Sequence, residues 1–479
     1  MRLPNGPKHP PFLQTLQWIL NPLDTLDRRY KQFGDTFRVL GNQLPALLYF
    51  SSPEALEAIF TAKPDQLSSA EGNTIFQPLL GEHSVILLDG KRHQRERQLL
   101  MPPFHGERMK AYGETILQIA DQVMNQWPIG QPFAIRPAMQ EISLRVILST
   151  VFGVHDQPRY QQLRSVFSEM LDAFGTTFGF MLLYYGFLQQ DWGAWSPWGR
   201  FQRQKQQIKS ILDAEIADRR AHPDKTRSDI LALLLAARDE TGQPMTDDEL
   251  RDELVTLLFA GHETTASALA WALYWIAYLP EVRTKLLAEL DSVDSHTDLP
   301  TIARLPYLTA VCQETLRLYP IAINAFPRIV QQPMQILGYD LEPGTILLPS
   351  IYLAHHRPQV YPEPKRFRPE RFLERQFSPY EYLPFGGGDR RCIGAAFALY
   401  ELKLVLFHLL THRQFKLRYQ KPLKPIRRGL TLAPSNQFQL IVKDDGYQLK
   451  SGQIEWGRSQ KPEVRSQKLE ARSKGNSDS

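Results

Sequence analysis

Phe385–Gly394 reads FGGGDRRCIG. A lone cysteine, Cys392, stands between glycines just ahead of an apolar stretch, Ala395 to Thr411, that predicts a helix. A helix N-terminus offers free N–H groups and the positive end of a dipole. Both favour a thiolate over a thiol. Gly386, Gly388 and Gly394 let the backbone approach a flat or charged partner closely, and Arg390 and Arg391 add positive charge. The loop therefore predicts an anionic sulfur poised as a metal ligand. With neither a CxxC pattern nor a histidine beside it, the cysteine does not suit a structural zinc site. It suits an iron whose in-plane ligands come from a macrocycle. Cys312 lies among apolar residues of a predicted helix and reads as core.

Upstream of the loop, residues 355–394 are rich in Pro, Gly, Arg and Phe and show no helical or strand period. Irregular stretches of that length in a folded domain are functional or disordered. Farther back, Thr246 with Glu249 forms a capping-box pattern ahead of Leu250, Leu254, Leu257 and Leu258. That pattern predicts a helix of 33 residues, ending at Leu279 before Pro280. At 1.5 Å per residue it would span about 50 Å. Its middle holds AGHETT, Ala260 to Thr265, whose Gly and Thr predict a local bulge or kink. A second helix, Tyr307 to Tyr319, carries Glu314 and Arg317 one turn apart.

Strand-like segments are few. Thr36 to Leu40 and Ala46 to Phe50 would pair about Gly41-Asn42, and Pro53 opens a short helix. Met334 to Leu348 and Gln437 to Val442 also read as β. The expected fold class is mainly α with small β-sheets. Residues 1–445 would form a single domain, and residues 446–479 a polar, charged, disordered tail.

The 479 residues are 43% hydrophobic, 22% charged and 11% aromatic, which excludes a mostly disordered chain. Two cysteines cannot build a disulfide scaffold, so the expected compartment is reducing and cytoplasmic. A net charge of +5 without an aromatic-basic motif gives no reason to expect nucleic-acid binding. The start of the chain is broken by Pro4, Pro7, Pro10 and Pro11. It reads as neither a signal peptide nor an integral membrane anchor, with at most a weak interfacial contact through Trp18 and Ile19.

The loop FxxGxRxCxG resembles the haem-binding loop of the cytochrome P-450 superfamily, the haem-thiolate monooxygenases. It does so through Phe385, Gly386, Gly388, Arg390, Cys392 and Gly394. AGHETT resembles that family's oxygen-binding groove, with Glu263 and Thr264 as the acid and alcohol. Glu314 with Arg317 resembles its ExxR pair, and PERF, Pro369 to Phe372, supplies Arg371 to the same network. The resemblance implies a long central helix crossing over a buried haem b, with Cys392 as the iron ligand. It also implies that the three network residues serve haem incorporation rather than the chemical step. Arg390, Arg97 and Arg328 would hold the propionates, joined by His93, which stands where the family commonly has Trp.

The same resemblance places a substrate pocket at Phe76, Leu79, Phe178, Phe259, Ala260, Ile323, Asn324 and Leu430. These are apolar apart from Asn324, which fits a fatty acid or terpenoid. No GxGxxG fingerprint follows a strand, and no flavin domain is read after Val442. Electrons would then come from a separate ferredoxin or flavodoxin with its reductase. Lys91, Arg92, Arg95, Arg390, Arg391 and Lys403 would form the basic patch that steers it. The leading expectation is a monomeric enzyme that uses dioxygen to hydroxylate a small apolar substrate. The alternatives are a peroxide-driven or rearranging haem-thiolate enzyme and a non-catalytic haem gas sensor.

Overall fold

The computed structural model describes residues 3–40, 46–106, 108–153, 158–193, 195–224, 226–294, 297–429, 431–435 and 437–443, the side chains of residues 177, 178, 180 and 184 excepted. The turn at Gly41-Asn42, Leu430 and the tail from 446 lie outside the described residues. So does the side chain of Phe178.

The architecture is mainly helical with small sheets. Its axis is the helix Asp247–Tyr278, 32 residues long. The Thr246 hydroxyl accepts from the Glu249 N–H at 3.2 Å, and the Glu249 carboxylate accepts from the Thr246 N–H at 2.8 Å. This reciprocal cap satisfies two donors that a helix start would otherwise leave open. The helix stops at Tyr278 because Pro280 cannot continue it, and Pro280 opens the next helix, Pro280–Leu290. Residues 265–274 are buried without a break, so this half is covered on every side. Ile135–Phe152, Pro306–Leu318, Ala395–His412 and the strand Thr431–Pro434 pack along it. At AGHETT the helix stays continuous, without a break in the α-helical run. Ser143 Oγ, on Ile135–Phe152, lies 3.3 Å from the Gly261 carbonyl and 3.1 Å from that of His262, so a neighbouring helix supports this weak helix-forming stretch.

The largest sheet runs in the order Thr36–Val39, Leu47–Phe50, Ile346–Pro349, Arg328–Val330, Leu67–Ser68. The expected N-terminal hairpin is present, with Phe37 opposite Tyr49 and their rings stacked 5.0 Å apart. Leu47–Phe50 then pairs in parallel with Ile346–Pro349, tying the N-terminal region to the second β-like segment. Smaller pairings involve Pro132–Ala134, Phe415–Leu417 and the hairpin Pro425–Arg428 with Thr431–Pro434. Strands of three or four residues carry too little alternation to be legible in the sequence. Residues 355–394 are irregular as expected, apart from a one-turn helix at Arg371–Glu374 and a tight turn at Gly388–Arg390.

Among the described residues, one helix, Ala395–His412, is long and apolar enough to cross a membrane. Most of it, 72%, is buried inside the protein, which marks it as a core helix.

Candidate functional site: a cavity closed by the cysteine loop

A cavity of about 1300 Å³ lies between the central helix and the cysteine loop. It exceeds the roughly 300–1,000 Å³ of an ordinary small-molecule site. Its wall includes Cys392, Phe385, Gly386 and Gly394 on one side and Phe259, Ala260, Glu263 and Thr264 on the other. Phe76, Leu79, Ile323 and Asn324 also line it, as do the predicted cations His93, Arg97, Arg328 and Arg390.

The loop reaches this position through its own backbone. The Cys392 N–H donates to the Phe385 carbonyl at 3.0 Å. Gly386 and Gly388 adopt φ of +71° and +66°, a conformation that L side chains rarely take. A Cβ at Gly388 would also lie 2.5 Å from the Phe60 carbonyl oxygen. Gly394 is different: a Cβ there would enter open space. Its carbonyl accepts from the Ala398 N–H at 2.8 Å as the following helix begins.

Cys392 is accessible on the cavity wall yet enclosed by protein, and burial pushes its thiol up. The Gly394 N–H and the charges of Arg97 and Arg391 pull the other way without cancelling that effect. Desolvation of the sulfur outweighs the donors and cations around it. Cys312 is fully buried, with its thiol pushed up to about 12, and belongs to the core as expected.

The cations are held differently. Arg390 pairs with Asp89 and donates to the Val85 carbonyl at 3.2 Å. Arg328, 3% exposed, donates to Ser69 Oγ at 3.0 Å and to the Phe326 carbonyl at 2.9 Å, while its Nη2 is buried without a hydrogen-bond partner. Arg97 has no ion-pair partner within 4 Å among the described residues. Burial, reinforced by Arg390 and Arg97, lowers His93 to about 4, so its imidazole is neutral at pH 7.

On the central helix, Glu263 is bridged by Arg136 Nη2 at 2.5 Å and by Gln140 Nε2 at 3.0 Å. The Thr264 hydroxyl donates to the Ala260 carbonyl at 2.6 Å. Sequence reasoning missed Arg136 and Asp89. Each meets its partner through a separation of more than 100 residues, which no local pattern reveals.

Glu314, Arg317 and Arg371 come together away from the cavity, all nearly inaccessible. Arg317 grips both carboxylate oxygens of Glu314, Nε to Oε2 at 2.6 Å and Nη2 to Oε1 at 2.9 Å. Arg371 Nε adds a third contact at 3.1 Å and the Arg368 N–H a fourth at 2.8 Å. The remaining guanidinium donors go to the carbonyls of His355, Pro362, Pro364 and Arg366. A buried carboxylate with this many donors is fully satisfied. His355 extends the network, since its Nε2 accepts from the Leu383 N–H at 2.9 Å, two residues before the cysteine loop.

The expected basic patch is only half available. Lys91, Arg92 and Arg391 are exposed. Arg95 is engaged by Asp239, Glu249 and Glu96. The Arg390 side chain is 6% exposed, and Lys403 donates to the Ala303 carbonyl at 2.7 Å. Acidic neighbours and burial thus remove three of the six from the surface.

A family model for cytochrome P450 matches residues 4–442. Cytochrome P450 135B1 of Mycobacterium tuberculosis is 35% identical over 444 residues, which cover 92% of either chain. The chain belongs to the cytochrome P450 family. Cytochrome P450 138 of Mycobacterium bovis is 32% identical, covering 92% of this chain and 97% of its own. A cyanobacterial P450, CYP120A1, solved with retinoic acid bound, matches with a TM-score of 0.79 at 25% identity, covering 92% of this chain and 99% of the other. The P450 is accordingly a haem-thiolate monooxygenase that uses a haem iron, dioxygen and a redox partner.

The residues present fit haem. A thiol faces a cavity large enough for a macrocycle and a substrate together. Gly394 leaves open space beside that sulfur. Arg328 Nη2 is a buried donor with no hydrogen-bond acceptor, Asp389 Oδ1 standing 3.8 Å away, and among the described residues Arg97 is a cation with no anion paired to it. Two propionates would supply what both lack.

Proposed function

We propose that this P450 hydroxylates an apolar, lipid-like substrate, a fatty acid or terpenoid, at a haem b held by Cys392. The observation that carries this reading is the group of apolar side chains Phe76, Leu79, Phe259, Ala260 and Ile323 on the cavity wall, with the polar Asn324 beside Ile323. The retinoic acid bound to the cyanobacterial relative is a ligand of that chemistry.

Cys392 would ligate the iron, Phe385, Gly386 and Gly394 would cradle the ring, and Arg97, His93, Arg328 and Arg390 would hold the propionates. Bound there, haem supplies the reductive activation of dioxygen and the insertion of one oxygen atom into a C–H bond. The chain's residues do the rest. Apolar walls orient the substrate and keep bulk water out. Thr264 Oγ1 holds a water in the cavity, and the Glu263 carboxylate links that water to solvent for proton delivery. Glu314, Arg317 and Arg371 fix the backbone that carries the loop.

The enzyme would work as a cytoplasmic monomer, with residues 1–445 forming the catalytic domain. It would take electrons from a ferredoxin or flavodoxin with its reductase, docked near the exposed Lys91, Arg92 and Arg391. Reconstitution with a ferredoxin, its reductase, NADPH and a panel of fatty acids and terpenes tests the reading. Products one oxygen atom heavier are expected. In Cys392→Ser, the carbonyl band characteristic of thiolate ligation should vanish. A retained band would overturn the ligand assignment, and turnover driven only by peroxide would overturn the reaction class.

A further inference from the structure

The cavity-lining cation Arg428 has no role assigned so far. Arg428 closes the hairpin Pro425–Arg428 with Thr431–Pro434, opposite Thr431 in the register. The Thr431 hydroxyl donates to the Arg428 carbonyl at 3.0 Å. The Arg428 side chain lines the same cavity as Cys392, beside Phe174 and Gly175. Gly175 makes that position available: a Cβ there would stand 3.2 Å from Arg428 Nη2.

The charges around this guanidinium leave it unmatched. Arg136, Glu263 and Asp172 are the charged groups that bear on it. Arg136 and Glu263 are already paired with each other at 2.5 Å. Asp172 is exposed and beyond ion-pair distance. Among the described residues no carboxylate lies within 4 Å of Arg428, and its Nε is buried with no hydrogen-bond partner. A buried guanidinium donor without an acceptor is costly, and a planar carboxylate matches its fork.

We propose that Arg428 binds the carboxylate of the substrate, so that this P450 takes a free apolar acid in preference to its ester. The assignment rests on the reading of the cavity as the site of a lipid-like substrate. It narrows that class to acids and gives the bound molecule a fixed end.

The test is an optical binding titration of the haem-loaded full chain with lauric acid, methyl laurate, abietic acid and methyl abietate. A charge-assisted hydrogen bond corresponds to about tenfold to a hundredfold in affinity. Wild type should favour each acid over its ester by that factor. Arg428→Gln should lose most of the preference, with a much smaller change for the esters, and Arg428→Lys should keep part of it. Equal affinity of wild type for acid and ester would overturn the assignment without needing any variant. So would an undiminished acid preference in Arg428→Gln. Should the esters bind well and the acids no better, the apolar-substrate reading stands and Arg428 alone is refuted. Should none of the four perturb the haem spectrum, the apolar-substrate reading itself fails and takes the Arg428 assignment with it.

Discussion

Thr264 Oγ1 lies 2.6 Å from the carbonyl oxygen of Ala260 and donates its only hydrogen to it. A hydroxyl has one donor and two acceptor sites, so Thr264 meets the cavity as an acceptor. It can hold a water there, and donates into the cavity only by releasing Ala260. Thr264→Ala should still bind haem and substrate and still consume NADPH, but release hydrogen peroxide in place of hydroxylated product. Thr264→Ser should restore coupling. Proton delivery through a positioned group is worth about 10²–10⁴-fold, so loss of the water that Thr264 holds should make product per NADPH fall steeply. Unchanged coupling in Thr264→Ala would reduce the hydroxyl to a helix contact.

Removing Arg317 would leave Glu314 buried with Arg371 as its only charged partner. Breaking a buried ion pair from one side costs about 3–5 kcal/mol. Arg317→Ala should therefore lower the melting temperature and the haem-to-protein ratio together. Arg371→Lys keeps the charge but loses the fork to Pro362 and Arg366, and should fall between the two. Full haem content in Arg317→Ala would contradict the structural role.

Glu401, on Ala395–His412, is fully buried, and burial pushes its carboxyl up from 4.5 to about 8, opposed only by a hydrogen bond with Ser143. Between those two pH values the folded chain holds a proton that the unfolded chain has released. Its contribution to stability is present below pH 4.5 and is lost as pH rises towards 8. The slope is at most about 1.4 kcal/mol per pH unit. Glu401→Gln should flatten it, melting above wild type at pH 8 and close to it at pH 5. His262 and His355, lowered by burial to about 4 and about 3, act in the opposite sense, losing stability as pH falls below 6.5. The comparison is therefore between variant and wild type at each pH. Parallel curves would refute it.

Residues 450–479 hold few apolar side chains beyond Ile454 and Trp456. So few apolar side chains are expected to bury less surface than would offset their ordering entropy. Deleting them should leave haem content and product formation unchanged. A large loss of either would mean that the tail docks on the body of the enzyme.

Features set by neighbours along the chain were legible in the sequence. The capping box at Thr246 and Glu249 and the Glu314–Arg317 pair need only one helical turn. The glycines before Cys392 announce their own backbone angles. What depends on distant partners was not legible. Asp89 beside Arg390, Arg136 beside Glu263 and the three-residue strands around Gln439–Val442 are created by the fold. The support that AGHETT receives from Ser143 was hidden for the same reason, since it comes from another helix. The burial of the Cys392 sulfur, which pushes its thiol up, is likewise a product of the fold that composition does not show.

Arg317 and Arg371 hold the segment ahead of the cysteine loop by the carbonyl oxygens of His355, Pro362, Pro364 and Arg366. Every amino acid carries that oxygen. Mutation can therefore rewrite many side chains along this segment without loosening the grip, while Glu314 and the two arginines have no equivalent freedom. Evolutionary drift should run fast along the strand of chain being held and almost stop at the three residues that hold it.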